Sequence, residues 1–142
     1  MDRRSWLKGM GVAAMMPLAL GDAMQAAAEV TDETVYELRI YHLNEGKQAL
    51  IEERFRSKET KIFERCGMHG VGYWAPTDEP LAGRTLIYML RHKSREAATA
   101  SWAKFKADPE WIALKAESEK DGAFVVKAES TFMKPLDFSP KV

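Results

Sequence analysis

The order of the predicted strands and helices is the feature that most limits what this chain can fold into. Strand patterns occur in four places: VYELRIYHL from Val35, MHGVGYWA from Met68, RTLIYMLRH from Arg84 and AFVVKAESTFM from Ala123. Helical patterns separate the first strand from the second and the third from the fourth. This β-α-β-β-α-β order predicts an α+β, ferredoxin-like fold with two helices on one face of a four-stranded sheet. The other face then meets solvent or a partner.

The first helical stretch, residues 46–67, has an apolar face. Ile51, Phe55, Ile62 and Cys66 recur at helical spacing, and Gly67 stands where a left-handed residue commonly ends a helix. The almost uninterrupted apolar run in RTLIYMLRH predicts that the third strand is central in the sheet.

The second helical stretch is predicted to consist of two pieces. Ser94 is placed to cap the first piece. Asp108, followed by Pro109 and Glu110, has the pattern of a new helix start. The aromatic and apolar residues of both pieces are predicted to pack the helices on the sheet; they are Trp102, Phe105, Trp111 and Ile112.

The first 28 residues have the pattern of a cleavable export signal. Arg3, Arg4 and Lys8 precede an apolar stretch from Met10 to Leu20, and three alanines follow at 26–28. The paired arginines resemble the bacterial twin-arginine signal, which a receptor reads, although Asp2 and Trp6 depart from its usual residues. We therefore expect a twin-arginine signal peptide at 1–28, a domain at 29–142, and a periplasmic or otherwise exported protein that meets the membrane only during export.

Charge and cysteine content narrow the classes of partner. The whole chain has 21 basic and 21 acidic residues, and removal of 1–28 leaves a domain with a net charge of about minus one. A nearly neutral domain has no electrostatic basis for binding nucleic acid. The single cysteine, Cys66, excludes an intrachain disulfide.

The domain resembles the NIPSNAP family of the dimeric α/β-barrel superfamily. VYELRIYHLNEGK at 35–47, GVGYW at 70–74, SWAKFKADPEW at 101–111 and STFMKPLDFSP at 130–140 are similar to that family. The resemblance implies a homodimer in which two open sheet faces pack into a barrel. It also implies small monooxygenases and haem-handling proteins as relatives, which bind ligands between sheet and helices, but it implies no particular reaction.

The candidate ligand-binding residues lie on the strands. Leu38 and Ile40 suit the helix-covered face, which would leave Glu37, Arg39 and Tyr41 on the open face, inside the barrel. A carboxylate, a guanidinium and a phenol in a row suit an anionic or phenolic ligand. The alternative is that Glu37 and Arg39 pair with neighbouring strands or across the dimer, as buried charges generally must.

Further candidates lie on the second and third strands. Arg91 and His92 end the third strand, where His92 could act as a general base if it lies in a pocket, or face solvent. Tyr73 and Trp74 lie beside glycines that suit an aromatic pocket, with ordinary core packing the favoured role for Trp74.

No metal site is expected. The three histidines, His42, His69 and His92, lie far apart in the sequence, and no HxH, HExxH or paired Cys-His spacing is present. Haem needs only one axial side chain, so a haem ligand at His69 or His42 stays open as an alternative.

Two functions are therefore considered, and whether the protein is an enzyme stays open. One is a binding domain that holds a small, partly aromatic molecule or docks on a periplasmic partner. The other is a cofactor-independent or haem-assisted monooxygenase or isomerase acting on such a molecule. The fold does not distinguish them.

Overall fold

The structure is a computed structural model, and it describes residues 30–142. The predicted signal at 1–28 lies outside the described residues. Four strands form one sheet in the order β2-β3-β1-β4, with each neighbouring pair antiparallel. The strands are β1 Val35–Leu43, β2 His69–Trp74, β3 Thr85–His92 and β4 Val125–Met133. This order confirms the ferredoxin-like α+β prediction, and β3 is central as predicted.

The helices follow the predicted order with one addition. The first stretch contains α1 Gln48–Arg54 and α2 Thr60–Arg65, joined without a break by a π-helical turn at Phe55–Glu59. The second stretch contains α3 Arg95–Ala107 and α4 Pro109–Ser118. None of these helices has both the length and the hydropathy needed to cross a bilayer.

The predicted helix ends are confirmed. Ser94 Oγ accepts a hydrogen bond from the Ala97 amide at 3.0 Å, and Asp108 Oδ1 accepts one from the Trp111 amide at 3.1 Å. Gly67 has a φ of 93°, a conformation that glycine adopts without the strain imposed by a Cβ atom. These local signals fix where α3 and α4 begin, and α3 and α4 form one wall of the site described below.

The hydrophobic core lies between the helices and one face of the sheet. Ile51, Ile62 and Phe63 from the first helical stretch are fully buried against Tyr88 and Leu90 of β3. Tyr88 also packs edge-on against Tyr41 of β1, with 5.3 Å between the ring centres. The predicted apolar face of the first helical stretch is therefore the face that covers the sheet.

The sheet faces are the reverse of those predicted for β1. Tyr41 lies in the hydrophobic core and Glu37 is buried, so these residues and Arg39 point toward the helices. Leu38 and Ile40 point to the opposite, open face. The prediction was wrong because both faces of this strand contain apolar residues, and the helices cover the more polar set.

The open face is apolar for an uncovered surface. Ile87 and Met89 of β3 lie beside Ile40 and Leu38 of β1 in the strand register and are only partly covered. Trp74 is 52% exposed rather than in the core as favoured, and its ring lies over Gly72, where a Cβ would come within 2.6 Å of the ring.

An ion-pair network joins the π-helical turn to the end of α4. The buried Arg54 guanidinium donates to Glu59 at 2.8 Å and to Glu119 at 2.9 Å. It also lies 4.9 Å from the ring centre of Trp111. Burial raises the pKa of Glu59 to about 7, although the Arg54 charge opposes this. The network holds α4 against the first helical stretch.

Candidate functional site

A cleft of about 640 Å³ lies between the β1 and β4 side of the sheet and helices α3 and α4. Strand residues form its floor and helix residues form its wall. The residues that line it are Glu37, Arg39, Tyr41, Ser130 and Phe132 from the sheet, and Arg95, Thr99, Trp102, Ala103, Phe105, Lys106, Trp111 and Lys115 from the helices.

Arg39 is the central cation of the cleft floor. Its Nη1 donates to Glu37 at 3.0 Å, and its Nη2 lies 3.4 Å from the Tyr41 hydroxyl. The guanidinium lies over the Trp102 ring, 4.4 Å from the ring centre. Its Nε is buried and has no hydrogen-bond partner within residues 30–142. Three neighbours thus fix the guanidinium in place.

Glu37 is the anion that positions Arg39. Its carboxylate accepts hydrogen bonds from Trp102 Nε1 at 2.7 Å and Ser130 Oγ at 2.6 Å, and contacts His92 Nε2 at 2.8 Å. Burial by itself favours the neutral acid, but these bonds and the Arg39 charge lower the pKa of Glu37 to about 2. Glu37 is therefore an ionised structural anion. Glu37 thus contacts both neighbouring strands, as the alternative for it states, whereas Arg39 pairs with Glu37 within β1 rather than with another strand.

His92 lies behind Glu37. Its side chain is fully buried, so the alternative in which it faces solvent is wrong. The β1–β3 register pairs His92 with Val35 and brings the imidazole beside Glu37. Its Nδ1 has no partner within residues 30–142, which fits a ring that donates its Nε2 proton to the carboxylate. This imidazole does not line the cleft.

Tyr41 and Tyr73 are connected through Tyr88 but lie in different places. The Tyr88 hydroxyl donates to the Tyr41 hydroxyl at 2.7 Å, and the Tyr73 ring stacks on Tyr88 at 5.6 Å. Tyr41 lines the cleft, whereas Tyr73 lines a smaller depression of about 260 Å³ beside Phe55. Burial, together with Glu64 and Glu59, raises the pKa of Tyr73 to about 12, so this phenol is neutral at physiological pH.

Arg91 does not join the site. It follows Leu90 on β3, and adjacent strand residues point to opposite faces, so Arg91 lies on the open face beside Tyr36. Its Nη1 is 3.4 Å from the Val142 carbonyl oxygen. Of the predicted residues, the structure therefore brings together Glu37, Arg39, Tyr41 and His92, and separates Tyr73 and Arg91 from them.

The helix residues of the site were not predicted as functional. Arg95, Thr99, Trp102 and Lys106 follow one another at steps of four, three and four residues, which places them on one face of α3. Trp102 was assigned to core packing, yet its indole donates to Glu37 and supports Arg39. A basic and aromatic stripe on a helix was the signal that could have identified this wall.

The cleft has an excess of positive charge. Arg39, Arg95, Lys106 and Lys115 line it with one carboxylate, that of Glu37, among the described residues. The lining residues thus have a formal excess of three positive charges, in a chain whose formal net charge is zero, and Glu59 behind the lining offsets part of the Lys115 charge. Such a surface attracts anions and raises their local concentration.

No histidine lines the cleft, and no metal-binding group is found among the described residues. Within residues 30–142, no three or more His, Cys, Asp or Glu side chains are grouped so as to hold a metal ion. His42 contacts Glu129 at 2.7 Å and His69 contacts Glu64 at 3.1 Å, both outside the cleft. Because His92 is buried behind Glu37, no imidazole among the described residues faces the cleft as an axial ligand.

Comparison with known proteins decides the family. The NIPSNAP family model matches residues 36–140 of the chain. The chain belongs to the NIPSNAP family. The search of curated proteins found no match.

Solved structures share the fold of this NIPSNAP domain. An uncharacterised NIPSNAP-like domain protein from Burkholderia xenovorans is 20% identical with a TM-score of 0.67, covering 79% of this chain and 93% of its own. A NIPSNAP family protein of unknown function from Agrobacterium tumefaciens is 22% identical with a TM-score of 0.66, covering 79% and 96%. SnoaB, a cofactor-independent oxygenase from Streptomyces nogalater, is 12% identical with a TM-score of 0.50, covering 77% and 99%. At these identities the similarity shows the fold.

Proposed function

We propose that this NIPSNAP domain binds a small organic anion in the cleft between the sheet and helices α3 and α4. The observation behind this proposal is the Arg39 guanidinium on the cleft floor, which is held by Glu37 and Trp102 and keeps 17% of its side chain exposed. A guanidinium suits a carboxylate or phosphate because its planar donors match two oxygens at once. Its fixed position means that little conformational entropy is lost on binding.

The walls of the cleft suit a ligand with an aromatic or apolar body. Trp102 and Trp111 are partly exposed on the helices, and Phe132 is partly exposed on β4. Pockets that bind organic molecules combine such apolar surface with a few fixed polar groups. The proposed ligand is therefore a small, partly aromatic carboxylate or phosphate.

The geometry favours binding over catalysis. The carboxylate of Glu37 already has four donor groups around it, and His92 reaches the cleft only through Glu37. A general base must lie within hydrogen-bond reach of the proton that it removes. Neither side chain meets that condition for a molecule in the cleft, so the oxygenase or isomerase alternative cannot use Glu37 or His92 as its base.

The same proposal includes a homodimer formed by the open sheet faces. Leu38, Ile40, Ile87 and Met89 form the apolar centre of that face, and Trp74 is exposed on β2. Burial of such a patch against an identical patch is the usual two-fold arrangement of homodimers. Export by the twin-arginine route, proposed from residues 1–28, would place this dimer in the periplasm.

The test measures binding of benzoate to the purified protein by tryptophan fluorescence and calorimetry. Arg39→Gln should weaken binding at least about tenfold, because a charge-assisted hydrogen bond contributes roughly 1.5 to 3 kcal/mol. Arg84→Gln is the matched control, since Arg84 is exposed and does not line the cleft. Equal affinity of the Arg39→Gln protein, or no binding by the wild type, would refute the proposal. Oxygen uptake with a phenolic substrate would favour the enzyme alternative instead.

A further inference from the structure

The cations of the cleft are spread along its length. Arg95 and Lys106 are eleven residues apart on α3, about 16 Å along the helix axis. Arg95 lies at one end, where its guanidinium is 3.6 Å from the Phe132 ring centre. Lys106 lies at the other end, and Arg39 lies on the floor below Trp102. The cleft therefore has more than one place for an anionic group.

The exposed side chains of Lys106 and Lys115 line the cleft where it adjoins a second groove, and this end is called the cationic mouth. They lie in the last turns of α3 and α4, and both line the cleft and the groove that adjoins it beyond Trp111. Within the part of the chain that the structure describes, no carboxylate lies within 4.0 Å of either amine, unlike Lys120, which is 2.7 Å from Glu117. Glu119 also lines the groove, and its carboxylate shares the Arg54 guanidinium with Glu59, which also interacts with the Lys115 charge.

Apolar surface lies between the two cationic positions. Trp102 contacts the Arg39 guanidinium, Phe105 packs beside Trp102 with 5.6 Å between ring centres, and Trp111 packs on Phe105 at 4.5 Å. These rings lead from the floor toward the mouth formed by Lys106 and Lys115. A ligand that reaches from Arg39 to the mouth thus passes along aromatic side chains.

We infer that the ligand has two anionic groups separated by a flat, apolar or aromatic body, one bound by Arg39 and the other by Lys106 and Lys115. This inference rests on the proposed function, in which Arg39 binds the first anionic group. It adds the chemical class, a dianion with separated charges. The chemistry recognised at either end is that of a carboxylate or a phosphate.

The experiment compares matched probes on the purified full chain. Benzoate is compared with terephthalate, and the para-monocarboxylate of biphenyl with its para,para′-dicarboxylate, by calorimetry at low salt. For at least one pair we expect the dicarboxylate to bind about tenfold more tightly, because two partly exposed ion pairs are added. Raising the salt concentration should reduce this preference, since the mouth is exposed to solvent.

Removal of lysine charges identifies the residues responsible for the tighter binding of the dicarboxylate. The double variant Lys106→Gln/Lys115→Gln should reduce it to about the twofold statistical advantage of a ligand with two equivalent ends. The double variant Lys104→Gln/Lys61→Gln removes the same charge from exposed positions outside the cleft and should keep the preference. Monocarboxylate affinity should remain dependent on Arg39 in both variants.

Three results would overturn the inference, and they differ in what else they reject. If monocarboxylates bind through Arg39 and neither dicarboxylate binds more tightly, only the two-anion inference fails. If the preference exists and survives in Lys106→Gln/Lys115→Gln, the second anionic group is bound elsewhere and the assignment to the mouth is wrong. If no probe binds the wild type, the proposed function fails together with the inference.

Discussion

Replacement of Glu37 by glutamine should destabilise the folded domain, although glutamine has nearly the same shape. The carboxylate accepts bonds from Trp102, Ser130 and Arg39 and contacts the His92 imidazole. An amide has one acceptor oxygen and one donor group, so at least one of these bonds is replaced by two donors facing each other. The charge that balances Arg39 is also lost.

The pKa of Glu37 gives the size of the effect. Its value of about 2 in the folded protein lies below the ordinary 4.5. At about 1.4 kcal/mol for each pH unit of difference, ionisation of Glu37 stabilises the folded state by about 3 kcal/mol at neutral pH. For a domain of this size, such a loss lowers the Tm by about 10 °C. A sum of separate free energies for the individual hydrogen bonds would give a larger stabilisation, but the energies of bonds to one carboxylate are not additive.

The pH dependence separates this explanation from a simple packing defect. Because folding lowers the pKa of Glu37, its contribution is complete above pH 4.5 and is lost as the pH falls through 2. Urea unfolding of wild type and Glu37→Gln should therefore differ by about 3 kcal/mol at pH 7 and about 1.5 kcal/mol at pH 3. Glu45→Gln, at an exposed turn, is the control. A deficit under 1 kcal/mol at pH 7, or one that does not change with pH, would refute the reasoning.

The remaining predictions concern the ion-pair network, the open sheet face and export. Because burial raises the pKa of Glu59 to about 7, the contribution of this group to stability is complete below pH 4.5 and is lost as the pH rises through 7. Between pH 5 and pH 8, the free energy of unfolding in urea should therefore fall by roughly 2 kcal/mol more for wild type than for Glu59→Gln. Identical pH profiles for the two proteins would contradict this. Ile87→Lys should convert the proposed dimer to a folded monomer in light scattering, whereas Ile112→Lys on α4 should not; a monomeric wild type would reject the dimer. Replacement of Arg3 and Arg4 by lysine should retain a folded protein in the cytoplasm of a host with twin-arginine export, as cell fractionation would show, and unimpaired export would count against the signal assignment.

The elements were predictable from the sequence because their signals are local. Ser94 and Asp108 cap α3 and α4 by accepting hydrogen bonds from amides only three residues further along the chain. Gly67 ends α2 through its own backbone conformation. The element order then selects the ferredoxin-like fold, since few arrangements of four strands and two helical stretches bury the apolar faces of both stretches.

The faces and the site were not predictable in the same way, because they depend on distant contacts. Leu38 and Ile40 are more apolar than Glu37 and Arg39, so periodicity alone assigns the wrong pair to the helices. His92 is buried because the β1–β3 register places it beside Glu37, which is 55 residues away in the sequence. The wall of the cleft was missed because residues at helical spacing suit core packing and a ligand site equally well.

The π-helical turn at Phe55–Glu59 makes the length of the first helical segment as important as its composition. An α-helix turns by about 100° for each residue, so deletion of one residue from the α-helical parts of this stretch would rotate everything before the deletion relative to everything after it. A π-helical turn holds one residue more than an α-helical turn, so deletion inside Phe55–Glu59 would restore a regular helix in which Ile51 and Ile62 both still face the sheet. Sequence alignments with relatives that have a regular helix should therefore open a one-residue gap inside Phe55–Glu59. A single deletion inside this turn should therefore cost less stability than a single deletion in α1 or α2 on either side of it.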